Sequence, residues 1–241
     1  MNERQKQADR ILDNSQELPF SYIEAYKSLR TNLQFFSIDK SLKRILVTSS
    51  IPSEGKTTVA INLAITLAET DSKVLLIDCD LRKPTIHKYL HISSKALGVT
   101  NILSAKSSID ECTVYIDELN ISVIAAGSIP PNPTELLTSA RMSDLVNQVS
   151  EQYDYIVMDT PPVSLVTDAA VMSKNSDGVL FVVRHNYTRI ESARLAKTNL
   201  ENIGAHVIGC VLNAFKADQS SRDYAYYSHY KKRDYTYTDS R

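Results

Sequence analysis

Between Ile45 and Asn213 the chain alternates short apolar runs with longer amphipathic stretches. Six runs, "RILVTSS", "KVLLIDCD", "ISVIAAG", "YDYIVMDT", "GVLFVVRH" and "HVIGCVLNA", have the length of β-strands. They are continuous rather than alternating, as strands covered on both faces must be. The segments Lys56 to Glu69, Thr134 to Ser150, Asp168 to Lys174 and Thr188 to Ile203 are long enough for crossover helices. The pattern predicts an α/β fold with a doubly wound, mainly parallel sheet.

Ahead of the first strand, "LPFSYIEAYKSLRTNLQFFS" places Tyr22, Tyr26, Leu29, Leu33 and Phe36 at i, i+4, i+7, i+11 and i+14. That spacing predicts a helix over about 20–36 with a single apolar stripe. Residues 1–18 and 218–241 lack a sustained apolar period, so both are expected to be mobile arms flanking one domain, 19–217.

Composition adds exclusions rather than a function. Lys plus Arg number 27 against 28 Asp plus Glu, a formal charge of -1, which gives no global electrostatic case for nucleic acid or a membrane surface. No run approaches the roughly 18 apolar residues of a membrane span, and the polar start "MNERQKQADRILDNSQE" lacks a signal-peptide core, so a cytosolic location is expected. Cys79, Cys112 and Cys210 are odd in number, far apart and without nearby histidines, which predicts buried free thiols rather than disulfides or a zinc site.

The candidate chemistry begins at "ILVTSSIPSEGKTTVAINLA", a strand, a turn and a helix opening at Gly55-Lys56-Thr57. Backbone N–H groups of such a turn and helix N-terminus cradle phosphate oxygens. Ser53, Glu54, Gly55, Lys56, Thr57 and Thr58 are therefore the candidate nucleotide-binding segment. Lys56 would reach the β and γ phosphates of ATP, and the Thr57 hydroxyl would ligate Mg²⁺. The full P-loop pattern has Gly where this chain has Ser50. Asp78 and Asp80 end a second strand and Asp159 a third, the positions from which carboxylates serve a P-loop metal. Singly, a strand-ending Asp is a turn former or helix cap, but three of them would repel strongly, and a bound cation is the natural neutraliser.

In combination, "EAYKSLRTNL", "TSSIPSEGKTT", "LLIDCDLRKPTIH", "GSIPPNPTELL", "IVMDTPPV" and a tyrosine-rich tail resemble the bacterial tyrosine kinases (BY-kinases) of capsule and exopolysaccharide synthesis, in the form whose cytoplasmic kinase is separate from its membrane activator. The resemblance implies a P-loop NTPase fold like that of the partitioning ATPases. It also implies a protein tyrosine autokinase in which Asp78 accepts the tyrosine proton, Lys56 bears on the phosphates, and Asp80 and Asp159 hold Mg²⁺ with Thr57. Catalytic roles thus fall on Asp78, Lys56 and Asp80, metal roles on Thr57, Asp80 and Asp159, and an adenine contact on Asn213. Glu24, Lys27 and Arg30 match the family's ring-contact element, with Lys27 replacing an Arg and its bidentate fork. A homo-oligomeric ring, a membrane-anchored activator of the polysaccharide co-polymerase type, protein tyrosine substrates and a cognate phosphotyrosine phosphatase follow from the resemblance, as does recruitment to the inner face of the membrane.

The alternative is a regulatory ATPase switch of the partitioning type. Its signature lysine would fall at Ile51, which argues against it. Arg82 and Lys83 form either a solvated face or a contact to phosphate or a neighbouring subunit. Thr134, after the prolines of "IPPNPTELL", is expected to cap a helix. Last, Tyr224, Tyr226, Tyr227, Tyr230, Tyr235 and Tyr237 crowd a tail whose residues 222–241 carry five basic and three acidic side chains. Such an arm suits an acidic cleft, and the resemblance assigns it the role of phosphoacceptor, in trans. Each phosphate adds about -1.5 to -2, so modification of several tyrosines would turn attraction to that cleft into repulsion.

Overall fold

The computed structural model describes residues 20–37 and 41–215. The arms at 1–18 and 218–241, with all six tail tyrosines, lie outside the described residues. In chain order the elements are α1 (Phe20–Phe36), β1 (Arg44–Ser49), α2 (Lys56–Ala68), β2 (Val74–Asp78), α3 (Ile86–Tyr89), α4 (Val99–Leu103), α5 (Ile109–Cys112), β3 (Thr113–Ile116) and β4 (Ile121–Ile124). They continue with α6 (Pro133–Thr138), α7 (Ala140–Gln152), β5 (Tyr155–Asp159), α8 (Asp168–Met172), β6 (Gly178–Arg184), α9 (Ile190–Asn202) and β7 (Val207–Asn213).

The seven strands form one sheet in the order β3-β4-β2-β5-β1-β6-β7. All neighbours pair in parallel except β3 and β4. Because successive strand residues point to opposite faces, the continuous apolar runs feed two cores. Leu46, Leu75, Ile77, Ile156 and Met158 face one, with residues of α7 and α9. Ile45, Val47, Val74, Leu76 and Val157 face the other, with α1 and α2.

The predicted stripe of α1 is present: Tyr26 and Leu33 are buried, and Tyr22, Leu29 and Phe36 pack against the same core. Arg30 fastens the helix by donating to the carbonyl of Thr66 at 2.5 Å and to Glu69 at 3.0 Å. A cation there complements the carbonyl end of α2. Lys27 pairs with Glu24 at 2.9 Å.

Several local expectations change. β3 was not legible as a strand: it is four residues long and half exposed at the sheet edge. The single helix expected over Thr134 to Ser150 is two, because the backbone of Ser139 is extended. Thr134 does not cap the first of them. Asn132 holds the cap position with Pro133 after it, while the Thr134 hydroxyl donates to Asp168 at 2.6 Å. Cys79 and Cys112 are buried thiols, but Cys210 is exposed, since β7 is an edge strand.

Asp177 ties β1 to β6. One carboxylate oxygen accepts from the backbone N–H groups of Lys43 and Arg44, and the other from the Arg44 guanidinium at 3.1 and 2.6 Å. Partial burial pushes its pKa up, but the Arg44 side chain and the two backbone donors outweigh this and leave it lowered. Asp177→Ala is expected to cost about 1–3 kcal/mol of stability at neutral pH. With the folded pKa below the unfolded value of about 3.9, the contribution is complete above that value and fades as pH falls through the folded one. Thermal unfolding of both proteins at neutral and strongly acidic pH should show the gap closing in acid.

Candidate active site

The site is built where β1, β2 and β5 end together. Asp78 and Asp159 are register partners on adjacent strands, so both carboxylates arrive at the same edge. From β1 the chain turns through 50–55 into α2. Gly55 sits at φ +88°, the left-handed region, and a Cβ there would lie 2.0 Å from the Asn213 amide nitrogen, so only glycine fits. Val59 makes the first ladder bond, to the Gly55 carbonyl, and the N–H groups of Lys56, Thr57 and Thr58 precede that ladder at the helix N-terminus.

The loop is held from outside. Asn213 donates to the Glu54 carbonyl at 2.9 Å, Arg184 to the Ser53 carbonyl at 3.0 Å, and Ser164 to the Ser50 carbonyl. Glu54 turns its side chain inward, with 1% exposure. Its carboxylate accepts from the Ser50 hydroxyl at 2.7 Å, the Ile51 N–H at 2.8 Å and the Thr188 hydroxyl. Ser50, a departure from the glycine pattern, therefore belongs to a lock on the loop. Within the candidate nucleotide-binding segment, Glu54 can face a ligand only through its backbone.

Lys56 lies among the acids, 2.9 Å from Asp80 and 3.4 Å from Asp159. Thr57 donates to Asp159 at 2.6 Å. Asp78 accepts from the N–H groups of Asp80, Thr85 and Ile86, each at 3.2 Å. The Thr85 hydroxyl donates to that of Thr57 at 3.3 Å, a contact the sequence did not advertise. Asp80 and Asp159 thus converge on an ammonium, with the Asp78 charge acting on it from farther off. Burial would lower the Lys56 pKa, but Asp159 and Asp80 more than reverse this. Burial raises Asp78 to about 8, with the nearby Asp159 charge adding to it and Lys56 only partly opposing. Burial likewise raises Asp159, against the Lys56 charge and the Thr57 hydroxyl.

The donor set fits Mg²⁺. One oxygen of fully buried Asp159 has no hydrogen-bond partner, and the Thr57 hydroxyl and Asp80 stand beside it. All are hard oxygen donors, which suit this ion. Among the described residues no three His, Cys, Asp or Glu side chains group closely enough to hold a metal by themselves. Mg²⁺ needs no such cage, because it keeps waters and shares its shell with substrate phosphates.

Arg82 follows neither expectation and makes an intramolecular pair instead. Its guanidinium makes a bidentate pair with fully buried Asp168 at 2.8 and 3.1 Å and also reaches Thr134. Lys83 leaves its ammonium exposed, while its backbone N–H holds Asp80 at 3.0 Å.

A parallel sheet with this loop, this Lys-Thr helix start and these strand-end carboxylates defines a P-loop NTPase. A family model described as an AAA domain matches residues 43–206. Tyrosine-protein kinase YwqD of Bacillus subtilis is 39% identical over 204 residues, 85% of either chain. Tyrosine-protein kinase wzc of Salmonella typhimurium is 36% identical over 208 residues, 86% of this chain and 29% of its own. The chain belongs to the bacterial tyrosine-protein kinases, and it is an enzyme of that class.

Solved structures agree. The kinase domain of Escherichia coli tyrosine kinase ETK superposes with a TM-score of 0.81 at 31% identity, covering 88% of this chain and 82% of the other. The chimerical protein CapA2B2 gives 0.79 at 30% identity, covering 88% and 91%. The septum site-determining protein MinD of Pyrococcus horikoshii, complexed with Mg-ADP, shares the fold at 19% identity with a TM-score of 0.62, covering 73% and 72%.

Proposed function

We propose that the chain is an ATP- and Mg²⁺-dependent tyrosine autokinase that phosphorylates its own C-terminal tyrosines, Tyr224, Tyr226, Tyr227, Tyr230, Tyr235 and Tyr237, in trans. The observation that carries this reading is Lys56 held between Asp80 and Asp159, beside Thr57 and an unpartnered Asp159 oxygen. ATP binds along Ser53 to Thr58, where the N–H groups at the start of α2 receive phosphate oxygens. Asn213 braces the loop at Glu54 and stands ready for the adenine side.

Thr57, Asp159 and Asp80 would hold Mg²⁺, which when bound neutralises charge on the phosphates. Lys56 orients the γ-phosphoryl group. Asp78, fixed by the N–H groups of Thr85 and Ile86, takes the proton of the acceptor hydroxyl in its ionised form. The reaction goes mainly through a loose transition state, so positioning and charge outweigh proton abstraction.

Glu24, Lys27 and Arg30 contribute contacts in a homo-oligomeric ring. Arg30 does so from a guanidinium already anchored to α2. A membrane-anchored activator of the co-polymerase type docks on the kinase, a reading supported by the match to CapA2B2. No helix among the described residues is long and apolar enough to cross a membrane. The activator brings the kinase to the inner membrane face. Other protein tyrosines are further substrates, a cognate phosphatase reverses the modification, and the cycle regulates capsular or extracellular polysaccharide synthesis.

Incubation of the full chain with labelled ATP and Mg²⁺, with and without the activator's cytoplasmic tail, tests the reading. Phosphotyrosine mapped to residues 224–237 is expected, and more of it with the activator tail. ADP accumulating without phosphotyrosine on the chain would sink the autokinase assignment.

A further inference from the structure

A second cleft of about 580 Å³ opens beside the transfer centre, a volume within the usual range for small-ligand sites. Thr85 belongs to both: it lines the cleft, donates its N–H to Asp78 and its hydroxyl to Thr57. Lys83, His87 and Lys88 line one side, and none of the three makes an ion pair among the described residues. No carboxylate lines the cleft. Ser93 and Ser94 add hydroxyl donors, and Ala125, Ala126 and Ile129 form an apolar wall, with Ile129 65% exposed.

A lining that combines basic side chains and hydroxyl donors with a few apolar groups is complementary to a flat ring bearing a dianion. The acidic centre and the basic cleft also sort the tail by its state. With five basic and three acidic side chains in residues 222–241, the unmodified tail is drawn to the carboxylates and repelled by the lysines. Each phosphate brings about -1.5 to -2, so the first about cancels the tail's excess of two basic side chains while placing a local dianion that the lysines attract, and only several phosphates make the acidic centre repel the whole segment.

We propose that this cleft is a phosphotyrosine site that takes an already phosphorylated tyrosine from the tail of a second copy of this chain. There it holds the once-modified tail next to the P-loop, and the remaining tyrosines of the cluster meet the transfer centre at raised effective concentration. The inference rests on the tail being a substrate, but its test uses synthetic peptides without ATP. Failure of the autokinase reading would therefore appear separately, in the labelling assay.

Fluorescent peptides spanning residues 222–241 are titrated onto the dephosphorylated full chain in three forms: unmodified, phosphorylated at Tyr227, and Tyr227→Glu. The phosphopeptide is expected to bind at least tenfold tighter than either of the others. A Lys83→Ala/Lys88→Ala double variant, checked for unchanged melting temperature and Mg·ATP binding, is expected to lose at least tenfold of that affinity. Equal binding of phosphorylated and unmodified peptides overturns the proposal, as does equal binding of the glutamate form, which would mean a generic anion surface. Undiminished binding to the double variant, or complete displacement by Mg·ATP, overturns it as well, the latter by placing the phosphate in the P-loop.

Discussion

A Lys56→Met variant is expected to lose phosphotyrosine formation by about a thousandfold, the scale of removing a preorganised cation or donor from a phosphoryl or oxyanion site. Asp78→Asn should cost less, about ten- to a hundredfold, because a loose transition state leaves little proton transfer for a base to assist. Rates of phosphotyrosine appearance on the full chain, read by mass spectrometry, separate the two. Equal losses would assign proton abstraction a larger share than the proposed mechanism gives it.

The same variant makes a second, independent claim about stability. Lys56 is the ammonium on which Asp80 and Asp159 converge, and its removal leaves buried carboxylates without their counter-charge. Removing one partner of a buried ion pair costs up to about 3–5 kcal/mol when the other stays charged. Here the acids can take up protons instead. The folded pKa values of Asp78 and Asp159, already raised, rise further without Lys56, so the variant binds more protons folded than unfolded. Its stability relative to the wild type should therefore fall as pH rises from about 5 to 8, a trend that melting curves across that range would detect.

The second large effect concerns the tail. A chain with Tyr224, Tyr226, Tyr227, Tyr230, Tyr235 and Tyr237 all changed to Phe keeps the rings and loses the acceptor oxygens. Its phosphotyrosine is expected to fall to background while Mg·ATP binding stays within about twofold of wild type. Mixing it with Lys56→Met then separates the two roles, because one chain has the site without acceptors and the other acceptors without the site. Label should return, on the Lys56→Met chain. If that chain stays unlabelled in the mixture, transfer between copies is ruled out.

How much of this could be read in advance varied with the range of the interactions involved. Of the six continuous strands, β1, β2, β4, β5 and β6 were legible because both faces of the sheet are covered there, which demands apolar residues at nearly every position, and β7 kept an apolar run although it is half exposed. The stripe of α1 was legible because one face of a helix meets one core. β3 was not, since an edge strand of four half-exposed residues carries no such demand. Ser50 read as a weakened glycine, and only the fold shows its hydroxyl joined to Glu54, with Arg184 at the end of β6 and Thr188 just after it closing on the loop. Arg82 and Asp168 stand 86 positions apart and carry no mutual signal in the chain.

By itself, then, the sequence determined the sheet, the phosphate loop and the acids that end β2 and β5, because each follows from neighbours within one strand-turn-helix unit. The tertiary structure decided which of those groups share a proton or a charge, that Glu54 faces inward, and that a basic cleft opens next to the acidic centre. Such facts depend on the register between strands far apart in the chain, and no local pattern encodes it.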